Sequence, residues 1–353
     1  MNTKHRQQPW TSATWCVDQL RLDEGDLIAS GWAIAAEGGR PKDIEFTIDG
    51  KRVKKATTGI ARPDIERTFP RRPGAAMSGF QIRIPGSRVT TISPQRPLHL
   101  GLRVNGRDVA DLDTFYPGEQ PPIPPAPNRR RVHGAESLDG FLLEGFSAFV
   151  KIDRALQAAT GRRFGDFPAL LDWGVGCGRF ARYFNGGTPG QRIVGIDIDD
   201  VNVEWCRANL PWIDAQCVDT NPPTLLEPES VDLVIGVSVF THLREHDQQA
   251  WLGELHRITR PGAILALTTH GRATFARSAL GDHWFDVWQD IGFMDGGRNP
   301  DIDGAVPGDN DYYRNVFTTH DYLQRVWGEM FEIVAFHEGL IGNHQDLNII
   351  RRR

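Results

Sequence analysis

The sequence predicts an α/β domain with a mostly parallel sheet, preceded by a small all-β sandwich. In the later part of the chain, three glycines at every second position follow the apolar run 169–171 and precede a segment of helical composition. This order describes a strand, a tight turn and a helix start. In the earlier part, apolar and polar residues alternate, as in residues 44–48, which is typical of strands buried on one face. A proline-rich stretch separates the two parts.

Residues 1–118 are predicted to form an antiparallel sandwich of six to eight strands. The alternation recurs in three segments: 44–48, 80–84 and 98–104. Asp49-Gly50 and Asn105-Gly106 have the composition of hairpin turns and are each followed by a short charged strand. Three tryptophans have two interpretations, a carbohydrate platform or buried aromatic core, and core is favoured in so small a sandwich. They are Trp10, Trp15 and Trp32.

Composition and charge limit the classes of function. The chain has 353 residues, of which 40% are apolar and 24% charged, as in globular proteins with more than one domain. Residues 1–118 carry 18 Lys/Arg against 13 Asp/Glu, and residues 119–353 carry 22 against 32. An acidic second part does not suit a phosphate backbone, so a nucleic-acid partner is not expected. No apolar run is long enough for a membrane span.

The segment 119–135 is predicted to be a linker. Six of the eleven residues from Pro117 to Pro127 are proline, which favours an extended, semi-rigid polyproline conformation. The basic run 129–131 then closes the segment and is interpreted as a solvated linker end. The three predicted parts are therefore residues 1–118, 119–135 and 136–353.

The glycine loop identifies the second domain. A dinucleotide fingerprint has the spacing G-x-G-x-x-G, whereas here the third glycine comes one residue early and Arg179 takes its place, so NAD is disfavoured. The pattern Asp-x-Gly-x-Gly-x-Gly resembles motif I of the class I S-adenosyl-L-methionine (SAM)-dependent methyltransferases. The resemblance implies that this loop holds SAM. Its residues are Asp172, Gly174, Gly176 and Gly178.

Two further acidic residues acquire roles from the resemblance. Asp197 ends a predicted strand over 191–198 and lies 19 residues after Gly178, where the family has the carboxylate that binds the ribose hydroxyls. Ile198 follows it and is assigned to the same cofactor site. Asp219 ends the next short strand and matches the position whose carboxylate faces the adenine amino group. A turn acid is the alternative interpretation of both aspartates.

The remaining segments follow the order of the same family. A helix over 141–159, a buried strand over 230–240, and the succession 254–262 resemble bacterial methyltransferases. The resemblance implies a Rossmann-like, seven-stranded, mostly parallel sheet with an antiparallel terminal hairpin. Residues 271–315 are expected to be a long irregular insertion, which is typical of a lid or substrate loop.

Two histidines are candidates for a general base. His242 and His270 each follow a predicted strand at the end where open α/β sheets bind ligands. Histidine suits proton removal from a hydroxyl because its pKa lies near neutral pH. His242 is the first choice. A metal pair of His242 with His246 is disfavoured because no third ligand is indicated, and no metal is expected.

Three function classes compete. Residues 62–80 resemble an accessory β domain of bacterial glycosyltransferases and glycan-modifying enzymes, which favours O-methylation of a saccharide or polysaccharide precursor. The alternatives are a methyltransferase for another small metabolite and a SAM-binding interaction module. The partners expected are a small-molecule or glycan acceptor and, through residues 1–118, glycan-assembly enzymes. The polar start of the chain lacks the apolar core of a signal peptide, and the four cysteines show no C-x-x-C spacing. Both observations favour a cytoplasmic location.

Overall fold

The chain divides into two compact units, which are described separately. A computed structural model describes residues 13–35, 41, 43–70, 72–89, 97–114, 122–134, 136, 138–184, 187–278, 280, 282–299, 312–342 and 344–353. The first unit comprises residues 1–118, 272–287 and 342–344. The second comprises residues 119–271, 288–341 and 345–353.

Within residues 1–118, the described strands form two antiparallel sheets. The strands are β1 (Thr14–Asp23), β2 (Asp26–Ile34), β3 (Ile44–Ile48), β4 (Lys51–Lys55), β5 (Thr57–Ile60), β6 (Gly79–Ile84), β7 (Leu98–Val104) and β8 (Arg107–Thr114). One sheet has the order β1-β2-β6-β5 and the other β4-β3-β7-β8. Two short helices accompany them, α1 (Pro63–Thr68) and α2 (Gly86–Val89). The strand number agrees with the six to eight that were predicted.

The turn and core predictions for this part are confirmed where the structure describes them. Asp49 and Asn105 have positive φ and lie in two-residue turns that join β3 to β4 and β7 to β8. Trp15 and Trp32 are each only 3% exposed, so they are core residues rather than a surface platform. Trp10 lies outside the described residues. Phe46 of β3 and Phe80 of β6 pack edge to face at 5.4 Å, which joins the two sheets.

The second unit contains a seven-stranded sheet. Its strands are β9 (Ala169–Trp173), β10 (Arg192–Asp197), β11 (Asp214–Cys217), β12 (Val231–Gly236), β13 (Thr259–His270), β16 (Phe331–Ile341) and β17 (Gln345–Arg352). The order is β11-β10-β9-β12-β13-β17-β16. All pairs among β9 to β13 are parallel, and β17 is antiparallel to both neighbours. The predicted mostly parallel, Rossmann-like sheet with an antiparallel terminal hairpin is confirmed.

Both faces of this sheet are buried under helices. Successive side chains of a strand point to opposite faces, and Leu170 accordingly packs with α4 (Leu138–Thr160) and α5 (Asp200–Asn209). Leu171 packs instead on the other face, with α6 (Glu245–Ile258) and α9 (His320–Val326). Burial on both faces explains why these strands are continuous apolar runs in the sequence. The C-terminal ends of the parallel strands are left to form one edge.

Two predictions about irregular segments are wrong. The proline-rich stretch is not an extended linker throughout, because residues 126–133 form the helix α3 (Ala126–His133), with a proline in its first turn. Residues 271–315 are not irregular where described. They contain α7 (Arg272–Arg277), α8 (Asp282–Ile291), and a hairpin of β14 (Phe293–Arg298) with β15 (Arg314–Thr318).

Among the residues that the structure describes, no helix combines the length and apolar composition needed to cross a bilayer.

Candidate functional site

The loop after β9 has a backbone that requires glycine. Gly174, Gly176 and Gly178 have φ values of 79°, 52° and 73°, a region that residues with a Cβ rarely adopt. The space beside them is also filled. A Cβ on Gly176 would lie 2.6 Å from the Val132 side chain, and one on Gly178 would lie 2.3 Å from Leu210. The loop therefore combines close packing with an open wall toward a pocket.

The helix that was predicted to start directly behind this loop is absent from the described residues. A 3-10 helix over Ala181–Phe184 stands in its place. Within the loop, the N–H groups of Gly174 and Val175 both donate to the carbonyl of Ile196, at 2.8 and 3.0 Å. The loop is thus stabilised mainly by the neighbouring strand β10 rather than by a long helix.

Asp197 connects the end of β10 to the glycine loop. Its carboxylate accepts hydrogen bonds from the N–H of Gly176 at 2.7 Å and from the N–H of Asp199 at 2.9 Å. Burial raises the pKa of Asp197 to about 6, and these two N–H donors oppose that rise. Each oxygen keeps a further lone pair for a ligand on the pocket side.

Asp172 is the most deeply buried acid of the site. It is 3% exposed, lines the pocket, and its Oδ2 has no hydrogen-bond partner among the described residues. Burial, together with the charge of Asp197, raises the pKa of Asp172 to about 7. A buried carboxylate oxygen without a partner is costly. A cationic ligand group in the pocket would satisfy this oxygen.

This pKa predicts how the stability of the ligand-free protein depends on pH. An acid whose folded pKa lies above its unfolded value of 3.8 stabilises the fold below that value, and the stabilisation is lost as pH rises through about 7. We expect the free energy of unfolding to fall by about 1.4 kcal/mol between about pH 6 and pH 8. Asp172→Asn stays neutral, so its slope in thermal unfolding should be clearly smaller and reduced to the part that the raised pKa of Asp197 contributes. An equal slope in both proteins would contradict the raised pKa.

The wall of the pocket includes residues that the sequence did not indicate. Arg131 of α3 lies on the wall and donates through Nε to Asp199 at 2.5 Å. Asp199 also caps α5 by accepting from the N–H of Asn202. The segment interpreted as a solvated linker end therefore contributes directly to the site. Further lining residues that were not predicted include Val218, Ser238, Trp251, Tyr312 and Tyr313.

His242 lies on the same wall with a defined orientation. Its Nδ1 lies 2.8 Å from the backbone carbonyl of Arg314. A carbonyl only accepts, so Nδ1 carries the proton and Nε2 of the neutral ring is left with its lone pair. Burial lowers the pKa of His242 below its ordinary value of 6.5, and the Arg314 carbonyl opposes this. Near neutral pH the ring is therefore uncharged.

The structure brings most of the predicted site residues together. Asp172, Gly174, Gly176, Asp197, Ile198 and His242 line one pocket. Gly178 lies behind the wall, against Leu210. His270 is 5% exposed, packs edge to face with His242 at 5.9 Å, and is outside the lining set. Asp219 has an exposed side chain and is also outside it, whereas the preceding Val218 belongs to it.

These residues have the chemistry that SAM requires of a site. SAM has a cationic methionine end, which the unpartnered oxygen of Asp172 suits. It has a ribose diol, which a carboxylate such as Asp197 can bind through two oxygens. Its adenine is flat and largely apolar, and Val218 and Trp251 offer an apolar wall. Among the described residues, no group of three metal-ligating side chains forms a metal site.

Comparisons with known proteins agree with this chemistry. Residues 171–267 match the family described as "Methyltransferase domain". A probable S-adenosylmethionine-dependent methyltransferase of Mycolicibacterium smegmatis is 34% identical over 87 residues, which are 24% of this chain and 32% of that protein. The malonyl-[acyl-carrier protein] O-methyltransferase of Methylococcus capsulatus is 31% identical over 132 residues, 35% of this chain and 47% of that protein. The chain thus spans less than half the length of these relatives.

A solved structure shares a weaker likeness. The SAM-dependent methyltransferase of Aquifex aeolicus is 15% identical, and the match covers 57% of this chain and 89% of that one, with a TM-score of 0.39.

The matched family and the two curated relatives show what the region around the glycine loop is similar to. Residues 171–267, which contain the glycine loop, the β10 aspartate and β12, match a methyltransferase domain, and the Mycolicibacterium relative is named as SAM-dependent. The cofactor is SAM, as the resemblance of the glycine loop implied.

Proposed function

We propose that this protein is an O-methyltransferase that uses His242 as its general base. The observation that carries the proposal is the hydrogen bond from His242 Nδ1 to the Arg314 carbonyl, at 2.8 Å. It fixes the tautomer so that Nε2 can accept a proton on the pocket wall. A hydroxyl is a poor nucleophile until a base removes its proton, whereas a carboxylate is already ionised. An oriented, neutral histidine is therefore best suited to a hydroxyl acceptor.

The residues of the chain divide the work of the reaction. Bound SAM would supply a methyl group on a positively charged sulfur and would be left as S-adenosylhomocysteine. Asp172 and the glycine loop would hold the methionine end, and Asp197 would bind the ribose diol. His242 would take the proton of the acceptor hydroxyl at its Nε2. Much of the rate comes from holding the acceptor in line with the methyl group.

We propose a saccharide hydroxyl as the acceptor. Its support is the resemblance of residues 62–80 to accessory domains of glycan-modifying enzymes, and the same resemblance supports glycan-assembly enzymes as partners. The Methylococcus relative is named for O-methyl transfer, although its own acceptor is different. Other small metabolites are the alternative acceptors. A SAM-binding module without turnover is disfavoured because the loop glycines and Asp197 are all present.

A transfer assay tests the proposed function. The full chain is incubated with SAM labelled in the methyl group and a panel of methyl glycosides, phenols, small carboxylic acids and amines. Label is expected in an O-methyl sugar, with S-adenosylhomocysteine (SAH) as the other product. Transfer only to an amine or a carboxylate would contradict the hydroxyl acceptor, and transfer only to a carboxylate would also contradict the need for a base. Binding of SAH without any transfer would favour the interaction module.

We also propose that residues 1–118 form an accessory β sandwich that is dispensable for cofactor binding. The pocket residues all fall after residue 130, and α3, which contributes Arg131, follows the proline-rich stretch. A chain that starts at Pro122 should therefore bind SAH with unchanged affinity in calorimetry. Starting at Ala135 instead removes α3 and should weaken binding. Aggregation of the Pro122 form would show that the first 118 residues complete the fold of the rest.

A further inference from the structure

Ser238 has a backbone conformation that is unusual for its residue type. It follows the C-terminal end of β12 and has a φ of 62°, in the left-handed region. A non-glycine residue in this region costs roughly 1–3 kcal/mol and persists only where its surroundings hold it. Its side chain lines the same pocket as His242. Such conformations cluster at functional sites, which directs attention to its hydroxyl.

Two neighbouring strands hold Ser238 in this conformation. The Oγ1 of Thr268, in β13, accepts the Ser238 N–H at 2.8 Å. From β17, the Nε2 of Gln345 donates to the Ser238 Oγ at 2.7 Å. Each strand thus supplies one side chain to the same residue.

Gln345 is the first residue of β17, and its buried side chain is directed to Ser238. Its side chain is 8% exposed, and its Oε1 has no hydrogen-bond partner among the described residues. Burying an amide with half of its hydrogen-bonding capacity unused is unfavourable. The hydrogen bond to Ser238 is the contact that this burial serves. The side chain of Gln345 therefore acts on Ser238, whereas its backbone belongs to the sheet.

The contact with Gln345 determines what Ser238 can do. A hydroxyl has one hydrogen to donate and two lone pairs. Because Gln345 occupies the accepting side of Oγ, the hydroxyl hydrogen is available to a ligand in the pocket. His242 accepts a proton on the same wall. Ser238 and His242 thus present one donor and one acceptor to a bound molecule.

We propose that Ser238 donates this hydrogen to a second oxygen of the acceptor, next to the oxygen that His242 deprotonates, and that Gln345 is its positioning residue. This inference rests on the proposed function. It narrows the acceptor to molecules with two neighbouring oxygens, such as a vicinal diol or a hydroxyl beside a carbonyl. A lone hydroxyl would leave the Ser238 hydrogen without a partner, which is the basis of selectivity in polar sites.

Ser238→Gly is the decisive variant because it separates structure from binding. Glycine adopts a φ of 62° without strain, so the variant should keep the local backbone. It nevertheless lacks the hydroxyl. The matched control is Ser230→Gly, at the opposite end of the same strand, where the hydroxyl donates to the Glu227 carbonyl. Gln345→Met removes the positioning amide at similar volume.

The probes are methyl α-D-mannopyranoside and its 3-deoxy analogue, in which no two hydroxyls lie on neighbouring carbons. Binding to the SAH complex of the full chain is measured by NMR titration, which needs no turnover, and SAH affinity is measured by calorimetry. We expect the preference for the diol to fall about tenfold in Ser238→Gly and in Gln345→Met, as for loss of one hydrogen bond. SAH affinity should stay constant in both, and Ser230→Gly should keep the preference.

The other outcomes are distinct. An unchanged diol preference in Ser238→Gly overturns the inference, even if the sugar is methylated and the proposed function stands. A loss of SAH affinity in that variant also overturns it, because Ser238 then belongs to the cofactor site. Absence of binding of either sugar to the natural protein overturns it for this acceptor class. If the diol preference depends on Ser238 but no methyl group is transferred, the Ser238 contact is supported. Only the proposed function is then contradicted.

Discussion

His242→Asn is expected to lower kcat by about 10²–10⁴-fold, the usual contribution of a general base. The amide of asparagine can still donate to the Arg314 carbonyl, so the local backbone should be kept while the accepting Nε2 is lost. SAH affinity should therefore change little. Single-turnover kinetics with labelled SAM and the identified acceptor measure the loss.

The pH dependence of kcat provides a second readout for the same residue. A base must be unprotonated, and burial lowers the pKa of His242 below 6.5. The rate of the natural protein should thus be flat near neutral pH and fall only on the acid side of about pH 6.5. In the variant this acid limb should vanish. The control is His246→Asn, which changes an exposed histidine four residues further along the chain. This variant should keep both the rate near neutral pH and its fall at acid pH. Near-normal turnover of His242→Asn would shift the role to His270 or to a carboxylate.

Asp197→Ala is expected to weaken SAH binding by about 1.5–3 kcal/mol, or about 10- to 150-fold. The carboxylate would lose its bonds to the ribose, and the N–H of Gly176 would lose its acceptor at 2.7 Å. The first loss removes contacts with the cofactor, and the second affects the glycine loop that holds it. Calorimetry measures the effect, and NAD should not bind to either protein.

A neighbouring acid supplies the control for this prediction. Asp200 is exposed at the start of α5 and does not line the pocket, so Asp200→Ala should keep the affinity for SAH. If Asp197→Ala binds as tightly as the natural protein, Asp197 serves only to shape the loop. Equal loss in both variants would instead indicate a general effect of negative charge near the site.

The buried strands and the glycine loop were predictable because their causes are local. Strands such as β9 and β12 are covered on both faces, which forces a run of apolar residues. The loop needs positive φ, which forces glycine at positions 174, 176 and 178. Local rules of this kind leave a direct trace in the residue types. They also placed Asp197 and His242 at the correct edge of the sheet.

The parts that were missed depend on contacts between distant segments. Helix α3 was hidden by its prolines, since composition alone favours an extended chain, and its place is set by contacts such as Arg131 with Asp199, 68 residues apart. Gln345 is 107 residues from Ser238 and gives no local sign of its role. Asp219 is the opposite case. Its position in the sequence matches the family's adenine-facing acid, but its side chain is exposed. Spacing along the chain does not report which way a side chain points.

The strand order has a consequence for how the protein is made. In the sheet, β17 lies between β13 and β16, although it is synthesised after both. Until β17 emerges from the ribosome, β16 has no partner and β13 presents an open, apolar edge. Unpaired edges of this kind favour aggregation, and pairing between distant segments is slow. The nascent chain should therefore depend on chaperones at this stage, and deletion of β17 should leave the protein insoluble rather than merely inactive.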